Sequence, residues 1–462
     1  MRPFESTISF EEAQRILHGA AIPLDRTERV SLDSGQERVL AADVLAPRDV
    51  PGFDRAAMDG YAVRARDTRG ASRAHPVPLQ LLGRVYAGET ADVPVETNTC
   101  IEIATGAPIP DGADAVVMVE DTSVSGPSAD GVQFETKAQV AAADADAGLS
   151  HAADAAGVDR AHARGGMHAD AAESVSVGRD VQIFAEARPS QHIIRRGADM
   201  LAGDVLLARG AQLTASRLGA LAAVGIPDVD VFSRPVVAIL PTGDELTPVG
   251  APLPLGHVYD VNRYTLASVV RQHGGVPRVY PTVADNLDAV RSAISRIIQQ
   301  GNGDSREPVD LLVLTGGSSV GEHDLVIDIL REQGDVLFHG IAVKPGKPTA
   351  LARIGRLLVL GMPGNPTSCL SNAYVLLIPL LRATGRLPVY QPKTVRATLA
   401  ADVESPRDRY QFMPVRLEDG RAIPTFKGSG EITSLSRADG YFEIPTHVTR
   451  LDAGTQVEVT LY

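Results

Sequence analysis

A chain of 462 residues is too long for one ordinary core, so roughly two to four domains are expected. Hydrophobic residues make up 44% and charged residues 22%, a globular balance, while aromatics reach only 4%, tryptophan is absent and the formal net charge is -13; together these argue against a base-stacking platform or a broad polyanion-binding surface. Cys100 and Cys369 are far apart with no CxxC, no apolar run approaches the roughly 18 residues of a membrane span, and the opening MRPFESTISFEEAQRIL carries acids where a signal peptide needs an apolar core; a soluble, cytoplasmic protein with no nucleic-acid or membrane partner is expected.

Ser9, Phe10, Glu11 and Glu12 have capping-box spacing, which predicts a short helix to about Leu17, stopped by Gly19. From about Val30 to Thr122, short Val/Ile/Leu runs alternate with Gly and Pro, as in GRVYAGE and CIEIATGAPIPDGADAVVMVED, and read as mostly β with tight turns. The segment 141–173 is different. Alanine supplies 14 of its 33 residues, and only Leu149, Val158 and Met167 are sizeable apolar groups, too few to offset the entropy of ordering. It reads as a flexible or partly helical insertion, and His151, His162 and His168 match no metal-ligand spacing.

From Arg234 the texture becomes α/β. VVAIL, VPRVYPTV, DLLVL, LFHGIAV and RLLVLGM read as strands, with helices expected from Asn262 to about His273, Leu287 to Gln300, Asp324 to Glu332 and Thr367 to Leu381. This alternation predicts a parallel, doubly wound sheet. After Pro388 short strands and turns suggest a small C-terminal β domain. The expected division is 1–63 with 186–234 as a first domain, 64–185 as a β-rich second domain carrying the insertion 126–178, 235–388 as the α/β domain, and 389–462 as the last.

In such a sheet, ligands bind beyond the carboxyl ends of the strands. Five polar loops should lie on that rim: PTGDEL, the Asp285 loop, TGGSSVGEHD, KPGKP and PGNPTS. Gly316, Gly317 and Gly321 let backbone N–H groups approach an anion, and Ser318 and Ser319 add hydroxyl donors. The loop has neither GxxxxGK[ST] nor GxGxxG, so a phosphate or another oxyanion fits without a standard nucleotide fingerprint. Lys344 and Lys347 are held on a backbone stiffened by Pro345 and Pro348. Beyond Pro363, Asn365 can cap a helix that has Pro366 in its first turn, turning another positive helix end to the rim. Asp244, Glu245, Asp260, Asp285 and Asp324 lie among these anion-binding loops. They would repel the ligand unless a divalent cation such as Mg2+ lay between. Cys369, in an apolar helix, reads as a core residue.

MDGYAV, TGAPIPDGADAVVMVED, PTGDEL, TGGSSVGEHD, KPGKP and PGNPTS occur in the order seen in molybdopterin molybdenumtransferases. The chain resembles that family, the MoeA type, similar to the E domain of gephyrin, over nearly its whole length except about 126–178. The resemblance implies transfer of molybdenum from molybdate to adenylylated molybdopterin with release of AMP and use of Mg2+. It also implies an elongated homodimer of four-subdomain chains with shared active sites, acting after a molybdopterin adenylyltransferase. By the same resemblance, Asp59 and Thr105 come from the partner subunit, and Glu245, Asp285 and Asp324 are the acidic, metal-holding residues. Lys344, Lys347, Pro348 and Ser319 line the pterin and molybdate pockets, and Arg407 and Ser429 bring the C-terminal domain to the molybdate. Arg409 is the alternative to Arg407. Gly340 stands where many members carry lysine. Two other readings compete. A nucleotide hydrolase of the competence-damage type would explain the α/β domain alone, and a non-catalytic scaffold like the gephyrin E domain would not require the Asp, Lys and Arg set.

Because loop-closure entropy grows slowly with length, deleting 141–173 should change stability by only about 1–2 kcal/mol. The shortened chain is expected to fold and to keep most of the molybdate-dependent AMP release. A variant that folds normally but loses that activity would make the insertion part of the site.

Overall fold

The computed structural model describes residues 7–125, 179–302, 308–316 and 325–462. The insertion with His151, His162 and His168 lies outside the described residues, as do Gly317, Ser318, Ser319, Gly321 and Asp324. Contacts divide the chain into two compact units, Met1–Val44 with Val205–Tyr462 and Leu45–Asp204. Among the described residues no helix is long and apolar enough to cross a membrane.

The unit Leu45–Asp204 is built on a six-stranded sheet in the order Ala115–Met118, Gly60–Val63, Thr99–Ile103, Val77–Val85, Asp180–Ile183, Thr122–Ser125. Successive side chains in a strand point to opposite faces. Tyr61 and Val63 therefore enter one core with Cys100 and Val117, while Ala62 enters another with Ile101, Ile103 and Val116. Gly60 is required by packing: a Cβ there would lie 2.0 Å from the Val117 carbonyl oxygen.

In the other unit, a six-stranded sheet runs in the order Val276–Val279, Val236–Pro241, Leu311–Thr315, Leu357–Met362, Ala350–Ile354, Asp335–His339. The first four strands are mutually parallel, and Ala350–Ile354 runs antiparallel to both of its neighbours. Both faces are covered, which is why these strands are continuous apolar runs. Val237, Ile239, Leu311 and Val313 pack beneath the helices Phe10–Ala20 and Asn262–Gln272. Ala238, Leu240, Leu312 and Leu314 pack beneath Leu287–Asn302 and Leu325–Gln333. This is the doubly wound, mostly parallel domain that the sequence predicts.

Three elements differ from expectation. The Ser9 hydroxyl caps Phe10–Ala20 by accepting from the Glu12 N–H at 3.1 Å, but the helix runs through Gly19 because Leu17 and Ala20 are buried against the core. The expected helix 367–381 is a helix Pro366–Asn372, a π-turn Ala373–Leu377 and a helix Ile378–Thr384. Pro379, which has no N–H to donate, sits at the start of the last piece and accounts for the widened turn. LFHGIAV is not one strand. Asp335–His339 stays in the α/β sheet, Gly340 turns the chain at φ +91°, and Val343–Lys344 pairs in parallel with Tyr410–Glu418 of the C-terminal sheet. That sheet continues through Arg421–Pro424, Thr394–Leu399, Gln456–Leu461 and Gly440–Ile444, and the last strand pairs back onto Tyr410–Glu418, closing a barrel around Met413, Val415, Phe442 and Val459.

His273 ends the helix Asn262–Gln272, 6% exposed and edge-on to Tyr390 with ring centroids 5.0 Å apart. Burial, aided by the charge of Arg382, pushes its pKa down to about 4. The fold thus binds this proton less tightly than the unfolded chain, where the usual value is about 6.5. Stability should be unaffected by this group above that value and fall as pH drops from about 6.5 to about 4. His273→Leu is expected to flatten that part of the pH–stability curve, measured by denaturant titration.

Candidate functional site

The rim of the α/β sheet is assembled by backbone contact. After Pro241 the Thr242 N–H donates to the Thr315 carbonyl at 2.8 Å, which keeps the first two loops in step beyond the strand ends. Gly316 then adopts φ +95°, and a Cβ on it would lie 2.0 Å from the Thr242 oxygen. Gly364, in PGNPTS, meets the same residue: its Cβ would lie 3.3 Å from the Gly316 Cα. Asn262 closes the group by donating from Nδ2 to the Gly364 carbonyl at 2.8 Å. PTGDEL, the first residue of the Gly-rich loop, PGNPTS and the start of the Asn262–Gln272 helix therefore converge.

Carboxylates border this junction. Glu245 is exposed and folds back so that Oε2 lies 2.7 Å from where a Gly243 Cβ would be. Asp244 accepts from the backbone N–H of Asp285 at 3.2 Å, which joins PTGDEL to the exposed Asp285 loop. Asp260 is only 2% exposed: Oδ1 accepts from the Arg263 N–H at 3.2 Å, and Oδ2 has no hydrogen-bond partner among the described residues. Burial pushes its carboxyl up, against the backbone hydrogen bond and charge of Arg263. Among the described residues no three His, Cys, Asp or Glu side chains form a group able to hold a metal. Asp244, Glu245 and Asp285 are nonetheless hard oxygen donors on adjoining loops.

KPGKP reaches the same side of the sheet from the end of Asp335–His339. Its turn is set from inside by Asn372, which is fully buried and donates from Nδ2 to the Gly346 carbonyl at 2.9 Å and to Thr349 Oγ1 at 2.6 Å. Gly346, at φ +105°, has no space for a side chain, since a Cβ would sit 2.4 Å from the Asn372 amide nitrogen. Lys344, Lys347 and Pro348 are half-buried, and the Lys344 ammonium lies 5.6 Å from the Phe426 ring centroid. The C-terminal domain closes on PGNPTS: the Thr367 N–H donates to the Ser429 carbonyl at 3.1 Å, and Thr367 Oγ1 to the Glu431 carbonyl at 2.8 Å. Pro363 is buried and Asn365 exposed; Asn365 occupies the cap position of Pro366–Asn372 without a side-chain capping bond. Arg407 is exposed and Arg409 half-buried, both just before Tyr410–Glu418.

The other unit carries its own pair. Asp59 Oδ1 accepts from both the N–H and the hydroxyl of Thr105, at 2.7 and 2.9 Å. Both residues are exposed, as are Met58 and Val119 beside them, and the Val119 N–H donates to the Asp59 carbonyl at 3.2 Å.

Apart from Arg407, which stands just before Tyr410–Glu418, the expected residues that are described fall into two sets. Glu245, Asp285, Gly316, Lys344, Lys347, Pro348, Pro363, Asn365 and Ser429 belong to loops on one side of the α/β sheet, while Asp59 and Thr105 pair in the unit Leu45–Asp204. Reasoning from sequence left out Asn372, which carries the KPGKP turn, and did not separate Asp260 from its neighbours. An Asn within an apolar helix and an Asp before a helix carry no signal that distinguishes them from a tolerated polar residue and an ordinary cap.

Glycine-rich strand ends followed by polar loops, in an α/β domain with β-rich regions before and after it in the chain, mark the class of multi-domain α/β proteins to which this chain belongs. Family models match almost the whole chain: the MoeA N-terminal region (domain I and II) over residues 8–225, a probable molybdopterin binding domain over 238–383, and the MoeA C-terminal region (domain IV) over 396–462. Molybdopterin molybdenumtransferase 2 of Mycobacterium tuberculosis is 32% identical over 461 residues, 98% of each chain, and the Bacillus subtilis molybdopterin molybdenumtransferase is 29% identical over 94% of this chain and 90% of its own. A crystal structure of a molybdopterin biosynthesis MoeA protein from Pyrococcus horikoshii superimposes with a TM-score of 0.74 at 34% identity, covering 99% of both chains. The chain belongs to the molybdopterin molybdenumtransferase (MoeA) family, enzymes of molybdenum cofactor biosynthesis. The matches to both flanking regions leave no place for a hydrolase reading that explains the α/β domain alone.

Because the folded state disfavours ionised Asp260, its charge opposes folding once pH rises above the usual carboxylate range. Asp260→Asn is therefore expected to melt at a higher temperature than the parent at pH 7, with the difference vanishing below about pH 3.8. An equal or lower melting temperature at pH 7 would mean that Arg263 outweighs burial.

Proposed function

We propose that the rim binds adenylylated molybdopterin and molybdate, releases AMP and leaves molybdenum on the pterin dithiolene. The observation that carries this reading is the convergence of PTGDEL, Gly316 and PGNPTS at backbone contact, with KPGKP fixed beside them by Asn372 and the Ser429 loop bonded to PGNPTS. Backbone N–H groups freed of side chains suit the pterin and nucleotide phosphates, with Gly317, Ser318, Ser319 and Gly321 continuing the loop. Lys344 and Lys347 are fixed cations for phosphate or molybdate, and Arg407 and Ser429 bring C-terminal donors to the molybdate oxygens. Arg409, nearer the strand start and less exposed, is the alternative cation.

Glu245, Asp285 and Asp324 are the carboxylates assigned to Mg2+, which when bound would neutralise charge on the phosphoanhydride. The chain's own part is to hold that anhydride between the loops and to direct a water at the adenylyl phosphorus, so that the P–O bond to the pterin phosphate breaks and AMP leaves. Asp324 is the residue assigned to orient that water.

Asp59, held by two Thr105 donors, is proposed to act in the site of a second copy. Its exposure beside apolar Met58 and Val119 supports a surface that another subunit covers. The protein would then be a homodimer with shared sites, working in the cytoplasm and receiving its substrate from a molybdopterin adenylyltransferase. Incubation with adenylylated molybdopterin, Mg2+ and molybdate should release AMP and yield active cofactor, and no molybdate-dependent AMP would sink the reading. Mixing inactive Asp59→Ala with inactive Asp324→Ala chains should restore part of the activity, toward about one quarter for random exchange with one intact hybrid site per mixed dimer. No recovery in subunits shown to exchange would place both residues in one subunit's site.

A further inference from the structure

Gln411 is 1% exposed, yet neither the oxygen nor the nitrogen of its amide has a hydrogen-bond partner among the described residues. Native proteins rarely bury both ends of an amide unpaired, and such a group calls for a ligand, an ion or an ordered water to complete it. Its strand shows which way it points. Along Tyr410–Glu418, Tyr410 and Phe412 pack into the α/β core, whereas Met413 and Val415 face the barrel interior, so Gln411 shares the barrel-side face. Lys344 is its direct neighbour in the parallel pairing, and Val343 belongs to the α/β core, so Lys344 lies on the same side as Gln411. There the Lys344 ammonium stands 5.6 Å from the ring centroid of Phe426, on the segment leading to Ser429. Gln411 thus sits where KPGKP meets the C-terminal domain.

The chemistry of the unpaired group narrows what it can bind. An oxyanion accepts only, so it would satisfy the amide nitrogen and leave the oxygen unpaired; a cation would do the reverse. A cyclic amide presents N–H and C=O side by side and satisfies both atoms in one plane. The 2-amino-4-oxo ring of a pterin has such an edge.

We propose that Gln411 recognises the substrate by pairing with the cyclic-amide edge of its pterin ring, beside the anion held by Lys344. This rests on the pterin substrate proposed above. It assigns a specificity role to a residue outside the carboxylate, lysine and glycine sets.

Gln411→Leu separates recognition from structure. Replacing an unpaired buried amide by an apolar group of similar size should not lower the melting temperature. Losing both hydrogen bonds should raise KM for adenylylated molybdopterin by about 10- to 100-fold while KM for molybdate stays unchanged. Gln411→Glu, which keeps the acceptor but not the donor, should weaken the pterin substrate alone as well. Binding of molybdopterin, followed anaerobically by its pterin fluorescence, should weaken by a similar factor and does not depend on AMP release. A rise confined to KM for molybdate would make Gln411 an oxyanion donor and overturn the proposal. So would a lower melting temperature with unchanged pterin binding, the signature of a structural amide. A parent protein that binds no molybdopterin would instead defeat the pterin reading of the whole rim, whereas one that binds it as tightly as Gln411→Leu would defeat only the role of Gln411.

Discussion

The site depends on one steric constraint: Thr242, Gly316 and Gly364 meet backbone against backbone, with no room for a Cβ at Gly316. Parallel strands normally end in loops that diverge, each screened by its own side chains. Here the carboxyl ends of Val236–Pro241, Leu311–Thr315 and Leu357–Met362, neighbours in the sheet, are drawn into a single polar floor. The Thr242–Thr315 hydrogen bond aligns the first two, and Asn262 ties in the third. A side chain at Gly316 would push PTGDEL away and, with it, Glu245 and the Asp244–Asp285 contact.

A second constraint joins this floor to the C-terminal barrel. Gly340 turns the chain out of the α/β sheet, and Val343–Lys344 becomes an edge strand of the other sheet. Its positive φ also gives a physical reason for glycine at this position, since a side chain in that conformation is strained. Asn372 then fixes KPGKP from the helix that follows PGNPTS, so two site loops share one anchor. Both lysines are thereby presented by segments that cannot relax independently.

Several buried polar atoms that have no hydrogen-bond partner among the described residues lie on or beside these same elements: Asp260 Oδ2, Asn262 Oδ1, Asn372 Oδ1 and the Gln411 amide. A fold optimised for stability alone would pair or replace them. Asp59 follows a different logic. It is exposed and held by two Thr105 donors, so its carboxylate is oriented without being buried.

The sequence by itself determined the α/β body and the β-rich character of the segments that precede and follow it in the chain. Val236–Pro241, Leu311–Thr315 and Leu357–Met362 are unbroken apolar runs because both faces of the sheet are covered, and each is followed by Gly, Pro and polar residues that cannot continue a strand. Motif order carried the family. What only the tertiary structure decided is long-range. Gly19 does not end its helix, because Leu17 and Ala20 are buried against a core formed largely of residues far away in sequence. LFHGIAV divides between two sheets because the partner of Val343 lies at Tyr410. Asn372, Asp260 and Gln411 look like ordinary polar residues in the sequence, and their burial arises only when distant loops close around them. Local patterns report the period of a segment and its turn chemistry; they do not report which distant backbone will come within 3 Å of a given side chain.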